Sequence, residues 1–385
     1  MRFEFMTSAR VIFGKGTVHE VGDLAASLGR KVLIIMGSGK VSVDVLLESL
    51  KCKDMAWQIF HVTGEPDVTT VVAGLEIAKR HACDMVIGFG GGSILDVSKA
   101  IAALLSNEGT LLDYLEVVGK GLQTSLPSAP LIAIPTTAGT GSEVTRNAVI
   151  TSPEHKVKVS MRSAHMIPRI ALVDPGLTYS MSPAVTASTG MDALTQVIEA
   201  YTSKLANPMT DALAKEGIKR GARSLRQAYR DGQDAAARED MAVTSLFGGL
   251  ALANAGLGAV HGFAGVIGGM FAAPHGAVCA SLLPGVMKAN VEAIQADDPA
   301  SEYHERYQGV AALLTDQPDA SIEMGVAWVT ETARMLNIPG LAGFGITRSD
   351  FSSIVSNSKG SSSMKKNPIV LSDESLNRIL EEAFS

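Results

Sequence analysis

The first half of the chain repeats one pattern of apolar and polar positions. Short β-branched runs, KVLIIMG (31–37), WQIFHVTG (57–64), DMVIGF (84–89), PLIAIPTT (130–137) and RIALVDP (169–175), read as strands. Runs of helical period, VSVDVLLESLK (41–51), VTTVVAGLEIAKRHA (68–82) and SILDVSKAIAALLS (93–106), lie between them. Near-continuous apolar strands joined by helices predict a parallel sheet covered on both faces, the doubly wound α/β class. Past Ser182–Pro183 the strand pattern stops. Helical periods follow over 190–203, 208–229, 234–256, 276–294, 300–314, 320–336 and 373–384, so 1–180 is expected to be an α/β domain and 181–385 an all-α domain. ALANAGLGAVHGFAGVIGGMFAAP (251–274) reads as buried core helix and loop, and SNSKGSSSMKKNP (356–368) as an exposed polar loop.

Composition agrees with two sizeable cores. The chain has 385 residues, more than one ordinary core holds, with 46% apolar and 19% charged residues. A net charge of −6 argues against a nucleic-acid partner, which calls for a basic balance. The three cysteines are scattered, with no CxxC, and fit a reducing compartment. No run reaches the roughly 18 apolar residues of a membrane span, and the opening segment lacks the apolar core of a signal peptide. A cytoplasmic protein that acts on a small molecule, without membrane or nucleic acid, is the expectation.

Candidate chemistry begins in the loops. GFGGGSILDVSK (88–99) joins a strand to a helix. Gly90, Gly91 and Gly92 permit close backbone approach, and Ser93 reads as the helix N-cap, so the free N–H groups behind it make an anion site. A plain strand-to-helix turn explains the same residues. Ser93 stands where a GxGxxG fingerprint needs its last glycine, and no GK[ST] follows. PTTAGTGSEVT (135–145) follows another predicted strand and offers the hydroxyls of Thr136, Thr137, Thr140 and Ser142. Two such loops at the carboxyl edge of a parallel sheet point to a phosphate-bearing cofactor. After the first long strand, MGSGK (36–40) has Gly37, Ser38, Gly39 and Lys40 where an NAD-specific fold keeps a ribose-binding carboxylate. That favours NADP, or use of both NADP and NAD.

In the second half, TGMDALTQVIEAYTS (189–203) reads as a helix with Asp192 and Gln196 one turn apart. A carboxylate and a His at this spacing would be half of a metal site; here the second position is Gln.

GGGSILDVSK, PTTAGTGSEVT, FGKGTVHEVG (13–22), LVDPGLT (172–178), TGMDAL (189–194), ANPMTDALA (206–214), PHG (274–276) and NP (367–368) together resemble the iron-containing (group III) alcohol dehydrogenases of the dehydroquinate-synthase-like superfamily. The resemblance implies a Rossmann-like dinucleotide domain, a helical domain for metal and substrate, a cleft between them, and a homo-oligomer, by expectation a dimer. It implies hydride transfer between a nicotinamide and a small alcohol, aldehyde or ketone. By position it implies that Gly91, Gly92 and Ser93 bind pyrophosphate, and that Thr136, Thr137 and Thr140 lie around the phosphates and nicotinamide. Lys158 matches a lysine at the nicotinamide ribose, and Asp96 an acid of the glycine-loop helix. The family's metal ligands, one Asp and three His, fall on Asp192, Gln196, His261 and His275, so one ligand (Fe or Zn in the family) is replaced. A further His near the substrate falls on Gly265. The expected outcome is an oxidoreductase without a tightly bound metal, in which the Gln196 amide and His261 or His275 act on the substrate oxygen. The alternatives are a metal enzyme with Gln196 as weak ligand, a lyase of the dehydroquinate-synthase type, and a catalytically silent nucleotide-binding relative. Lys359, Lys365 and Lys366 raise an anionic substrate as a further option.

Overall fold

The computed structural model describes residues 2–39, 41–155 and 157–385. Lys40, a candidate cofactor residue, lies outside them. Two compact units result: residues 7–180, and residues 181–385 together with the N-terminal residues up to Met6. The first residues, expected with the α/β domain, belong to the helical unit: Met6 N donates to Asn254 Oδ1 at 2.6 Å, and Asn254 Nδ2 donates to Met6 O at 2.9 Å.

The first unit holds β1 (Arg10–Phe13), α1 (Val21–Ala26), β2 (Lys31–Gly37), α2 (Asp44–Lys51), β3 (Ala56–Val62), α3 (Val68–Arg80), β4 (Met85–Gly90), α4 (Gly92–Ser106), α5 (Leu111–Tyr114), β5 (Leu131–Pro135), β6 (Asn147–Ser152), β7 (Val157–Arg162) and β8 (Ile170–Val173). Six strands form one sheet in the order β1-β8-β5-β4-β2-β3, every pair parallel. Successive residues of each strand enter opposite cores, as the pleat requires. Leu33, Ile35, Val86 and Leu131 pack with α3 and α4, while Val32, Ile34, Met85, Ile87 and Ile132 pack with α1 and α2. β6 and β7 form a separate antiparallel hairpin, paired from Asn147↔Arg162 to Ser152↔Val157, which the sequence pattern did not predict. It interrupts the strand–helix alternation on which that reading depends. The placement of β2, β4 and β5 matters most for function. They are neighbours, so the loops that follow them leave the same sheet edge side by side.

The helical unit runs through α6 (Pro183–Thr202), α7 (Pro208–Arg230), α8 (Ala235–Ala255), α9 (Ala259–Met270), α10 (His275–Asp297), α11 (Glu302–Thr315), α12 (Ile322–Met335), α13 (Phe351–Lys359) and α14 (Asp373–Glu382), with no strand among its described residues. α6 starts two turns before the expected Gly190. Ser182 caps it through Val185 N at 3.3 Å, and Pro183 sits at its first turn, where its missing N–H costs nothing. Gly190 is interior to the helix, where a Cβ would strike the Leu225 side chain of α7. The run at 251–274 is the end of α8, a bend of 98° and a separate helix α9. By length and composition α10 is apolar enough to cross a membrane, contrary to the expectation from the sequence; 72% of its most apolar window is buried inside the fold. The segment 356–368 is no plain exposed loop either. α13 covers its start, Ser358 is buried, and Asn367 is 2% exposed.

α6 and α10 touch at Gly276, where a Cβ would meet the Ser188 carbonyl of α6. Gly276→Ala should therefore spread these helices and cost about 1–3 kcal/mol, read as a fall in Tm of the helical unit. An unchanged Tm would show that this contact relaxes freely.

Candidate functional site

The two glycine loops meet in the α/β unit. Thr136 N donates to Gly90 O at 3.0 Å. A Cβ on Gly91 would lie 3.3 Å from Thr137 Oγ1, and one on Gly92 would lie 2.8 Å from the Thr140 side chain. At Gly92 a side chain would force Thr140 to move, and at Gly91 it would leave Thr137 tightly packed. α4 starts at Gly92 with Gly91 as its cap residue and no side-chain cap. Ser93 is thus inside the first turn, not at the cap as the sequence suggested. An uncapped helix N-terminus inside a hydroxyl-lined loop fits a phosphate. Gly37 ends β2, the neighbour of β4, and Ser38 and Gly39 beyond it are exposed.

A buried ion pair fastens this region. Lys99 is 1% exposed. Its Nζ lies 2.9 Å from Asp96 Oδ1 and donates to Ser142 Oγ at 2.6 Å, to Thr145 Oγ1 at 2.9 Å and to Asn147 O. Asp96 also accepts from Ser142 Oγ at 2.6 Å and from Val149 N at 2.9 Å. Its carboxylate is thereby engaged by the second loop and the hairpin. Lys158, on β7, pairs with Glu65 at 2.9 Å. Glu143, in the second loop, is buried; burial pushes its carboxyl up to about 7, against the smaller pull of its own backbone N–H and of Lys99. Neither Lys99 nor Glu143 was a candidate from the sequence. Their signal was a charge inside an otherwise apolar helix and inside a glycine loop.

In the helical unit a second set converges. Asp192 and Gln196 lie on α6, His261 in the first turn of α9, and His275 at the start of α10. Asp192 Oδ1 lies 3.3 Å from His261 Nε2 and 3.8 Å from His275 Nε2. Cys279, one turn after His275, brings Sγ to 3.9 Å from His261 Nε2 and 3.8 Å from His275 Nε2. Gln196 is buried beside Asp192, and its Nε2 donates to Asp192 Oδ2 at 3.5 Å. A Cβ on Gly265 would meet nothing within 4 Å, so the place of the missing family His is open space.

Glu199, unnoticed in the sequence although seven residues after Asp192, orders this set. Its carboxylate accepts from Val260 N at 2.7 Å, from His261 N at 3.3 Å and from His261 Nδ1–H at 2.7 Å. Asn367 Oδ1 accepts from Ala259 N at 3.1 Å. Together they cap α9 from outside and fix the His261 tautomer, leaving Nε2 to face Asp192 and Cys279. Burial alone would lower His261, but the Cys279 sulfur and the carboxylates of Asp192 and Glu199 hold it well above the usual imidazole value. His275 is raised for similar reasons, with Cys279 and Asp192 again outweighing burial. Burial would raise Asp192; the two imidazoles more than offset it and hold the carboxyl low. Its Oδ1 is buried without a hydrogen bond of good geometry. An anionic oxygen left so, facing two imidazole nitrogens and a thiol, fits a divalent ion.

A parallel-sheet unit whose two glycine loops fit a phosphate, in one chain with a helical unit whose carboxylate–imidazole cluster fits a divalent ion, suits a nucleotide-dependent enzyme able to use a metal. The comparisons agree. The model of iron-containing alcohol dehydrogenase matches residues 8–175, and that of the Fe-containing alcohol dehydrogenase family, C-terminal, matches residues 186–384. The chain is 35% identical over 378 residues to "Alcohol dehydrogenase 4" of Saccharomyces cerevisiae, covering 97% of this chain and 96% of that one. It is 36% identical over 393 residues to a 1,3-propanediol dehydrogenase of Klebsiella pneumoniae, covering 99% of each. A solved structure of 1,3-propanediol oxidoreductase superposes with a TM-score of 0.92 at 35% identity, covering 100% of both chains. The chain belongs to the iron-containing alcohol dehydrogenase family. Its activity is that of a nicotinamide-dependent alcohol dehydrogenase.

Glu143 gives a pH test. Its carboxyl is raised from 4.5 to about 7 in the fold. A raised acid binds more protons folded than unfolded, so its contribution is full below pH 4.5 and is lost as pH rises through 7. The loss is on the order of 3 kcal/mol. Glu143→Gln should raise Tm at pH 8 while changing it little at pH 5. A variant with the parent's full pH slope would remove Glu143 as the cause.

Proposed function

We propose that this enzyme oxidises a small primary alcohol or diol and reduces the matching aldehyde, with NADP or NAD as hydride partner and a divalent ion, Fe or Zn, in the helical unit. The observation that carries the proposal is the convergence of Asp192, His261 and His275 on one point, with Asp192 buried, His275 partly exposed and His261 Nδ1 already committed to Glu199. When bound there, the ion supplies Lewis acidity toward the alcohol or carbonyl oxygen.

The chain's own residues do the rest. Gly91, Gly92 and Ser93 receive the diphosphate on the N–H groups of α4, and Thr136, Thr137 and Thr140 line the loop beside it. Asp96 works through Ser142 as a positioning residue. Lys158 reaches the nicotinamide ribose by exchanging its surface partner Glu65 for the ligand. Gly37, Ser38 and Gly39 take the adenosine end, with no carboxylate to repel a 2′-phosphate. The substrate is read as neutral. Lys359, one of three lysines behind the anionic option, pairs with Asp373, and the diol named in relatives of this chain is uncharged. The three thiols are unpaired, which supports a cytoplasmic location, and the family resemblance supports a homo-oligomer.

A second reading keeps the ion out. His261 is held between Asp192 and Glu199, and the Gln196 amide lies beside them, so His261 and Gln196 form the donor set for the substrate oxygen. Metal analysis separates the two. The expected result is about one divalent ion per chain, activity toward short alcohols lost on chelation and regained with Fe²⁺ or Zn²⁺. Full activity in stripped enzyme would establish the metal-free reading instead.

For the cofactor, Ser38→Asp should weaken NADPH binding by roughly tenfold, about 1.4 kcal/mol, with little effect on NADH. Equal titration curves for variant and parent would place the adenosine ribose elsewhere.

A further inference from the structure

The metal-ligand set implied by the resemblance has Gln196 where a His is expected, and a thiol lies beside the other three residues. One donor atom each from Asp192, His261, His275 and Cys279 lies within 4.8 Å of all the others. Four of these separations are 3.3, 3.8, 3.9 and 3.8 Å. Bonds of about 2.0–2.3 Å in a tetrahedron put neighbouring donor atoms about 3.3–3.8 Å apart. The four side chains already stand near those edges.

Gln196 lies beside the set with its amide nitrogen, not the oxygen through which an amide ligates, toward Asp192 at 3.5 Å. Its Oε1 faces α8, where a Cβ on Gly248 would lie 3.1 Å away. Cys279 is placed for the task by ordinary helix geometry. It follows His275 by four residues on α10, so both side chains rise on one face, and it is fully buried among the other three.

We propose that Cys279, as thiolate, is the fourth protein ligand in this chain, making an Asp–His–His–Cys centre. A sulfur ligand shifts the preference toward zinc or cobalt and away from magnesium and manganese, which favour oxygen donors. Uptake of the ion releases to solvent the thiol proton together with any proton on the His261 and His275 Nε2 atoms, since each must be bare to ligate. The proposal rests on the metal-bound reading above, and the two fail separately in the following test.

Metal-free enzyme is loaded with one equivalent of Co²⁺ and freed of excess; bound cobalt is counted and the absorption spectrum recorded. The expected result is stoichiometric cobalt with a sulfur-to-cobalt charge-transfer band in the near ultraviolet. Cys279→Ser and Cys279→Ala lose that band, and they bind Zn²⁺ at least roughly tenfold more weakly, since removing a group that only orients a ligand already costs 10–100-fold. Gln196→Ala, Cys52→Ser and Cys83→Ser keep the band. Circular dichroism checks that each variant is folded, and the parent spectrum is decisive even if the Cys279 variants are not. Bound cobalt without the band, or a band that survives in folded Cys279→Ser, overturns thiolate ligation and leaves the metal reading standing. No cobalt retained by the parent overturns both.

Discussion

The hydrogen bond from His261 Nδ1–H to Glu199 is the constraint on which the helical site depends. The same carboxylate accepts two backbone N–H groups at the start of α9. One buried acid thereby closes a helix end that has no cap from its own residues and sets the orientation of an imidazole. With Nδ1 committed, Nε2 is the nitrogen available on the other side, and it faces Asp192 and Cys279. Placed at a helix N-terminus, the negative charge of Glu199 is also favoured by the aligned peptide dipoles.

The α/β unit solves a comparable problem with the opposite charge. Two loops rich in glycine and hydroxyl groups would be loose by themselves. Lys99 reaches from α4 into the second loop, meets Asp96, Ser142 and Thr145, and ends on the Asn147 carbonyl at the start of the hairpin. Every donor on its ammonium has an acceptor, which is the condition under which a buried charge is tolerated. The two loops are thereby tied together from below, while glycines stand at 91 and 92, where the loops approach each other closely.

A Gln at a position where the family resemblance implies a ligand need not mean a site without enough donors. The number of donors around a point is what counts, and helices offer many routes to it. On α6 the residue one turn after Asp192 is an amide whose Nε2 lies 3.5 Å from Asp192 Oδ2. On α10 the residue one turn after His275 is a thiol at the same point. Asn367 illustrates the same economy of support. Its Oδ1 accepts from Ala259 N and from Asn290 Nδ2, so a late segment that reads as solvated loop is pinned beneath α9.

Much of this was legible from residue order. Strands with period two and helices with period 3.6 are local patterns, and they announced the parallel sheet, the helical second half and the glycine loops at strand ends. The motif-bearing residues Gly91, Gly92, Asp192, His261 and His275 could be named from the chain alone. The partners that give them meaning could not. Cys279 read as one of three scattered thiols, and Glu199, Lys99 and residues 147–162 stood out in no pattern along the chain. Each acquires its role only when a particular face of one helix meets a particular face of another, or when a strand folds back on its neighbour. Local periodicity shows that a face exists; which faces meet is decided by packing over long sequence separations, and that information resides in the tertiary structure.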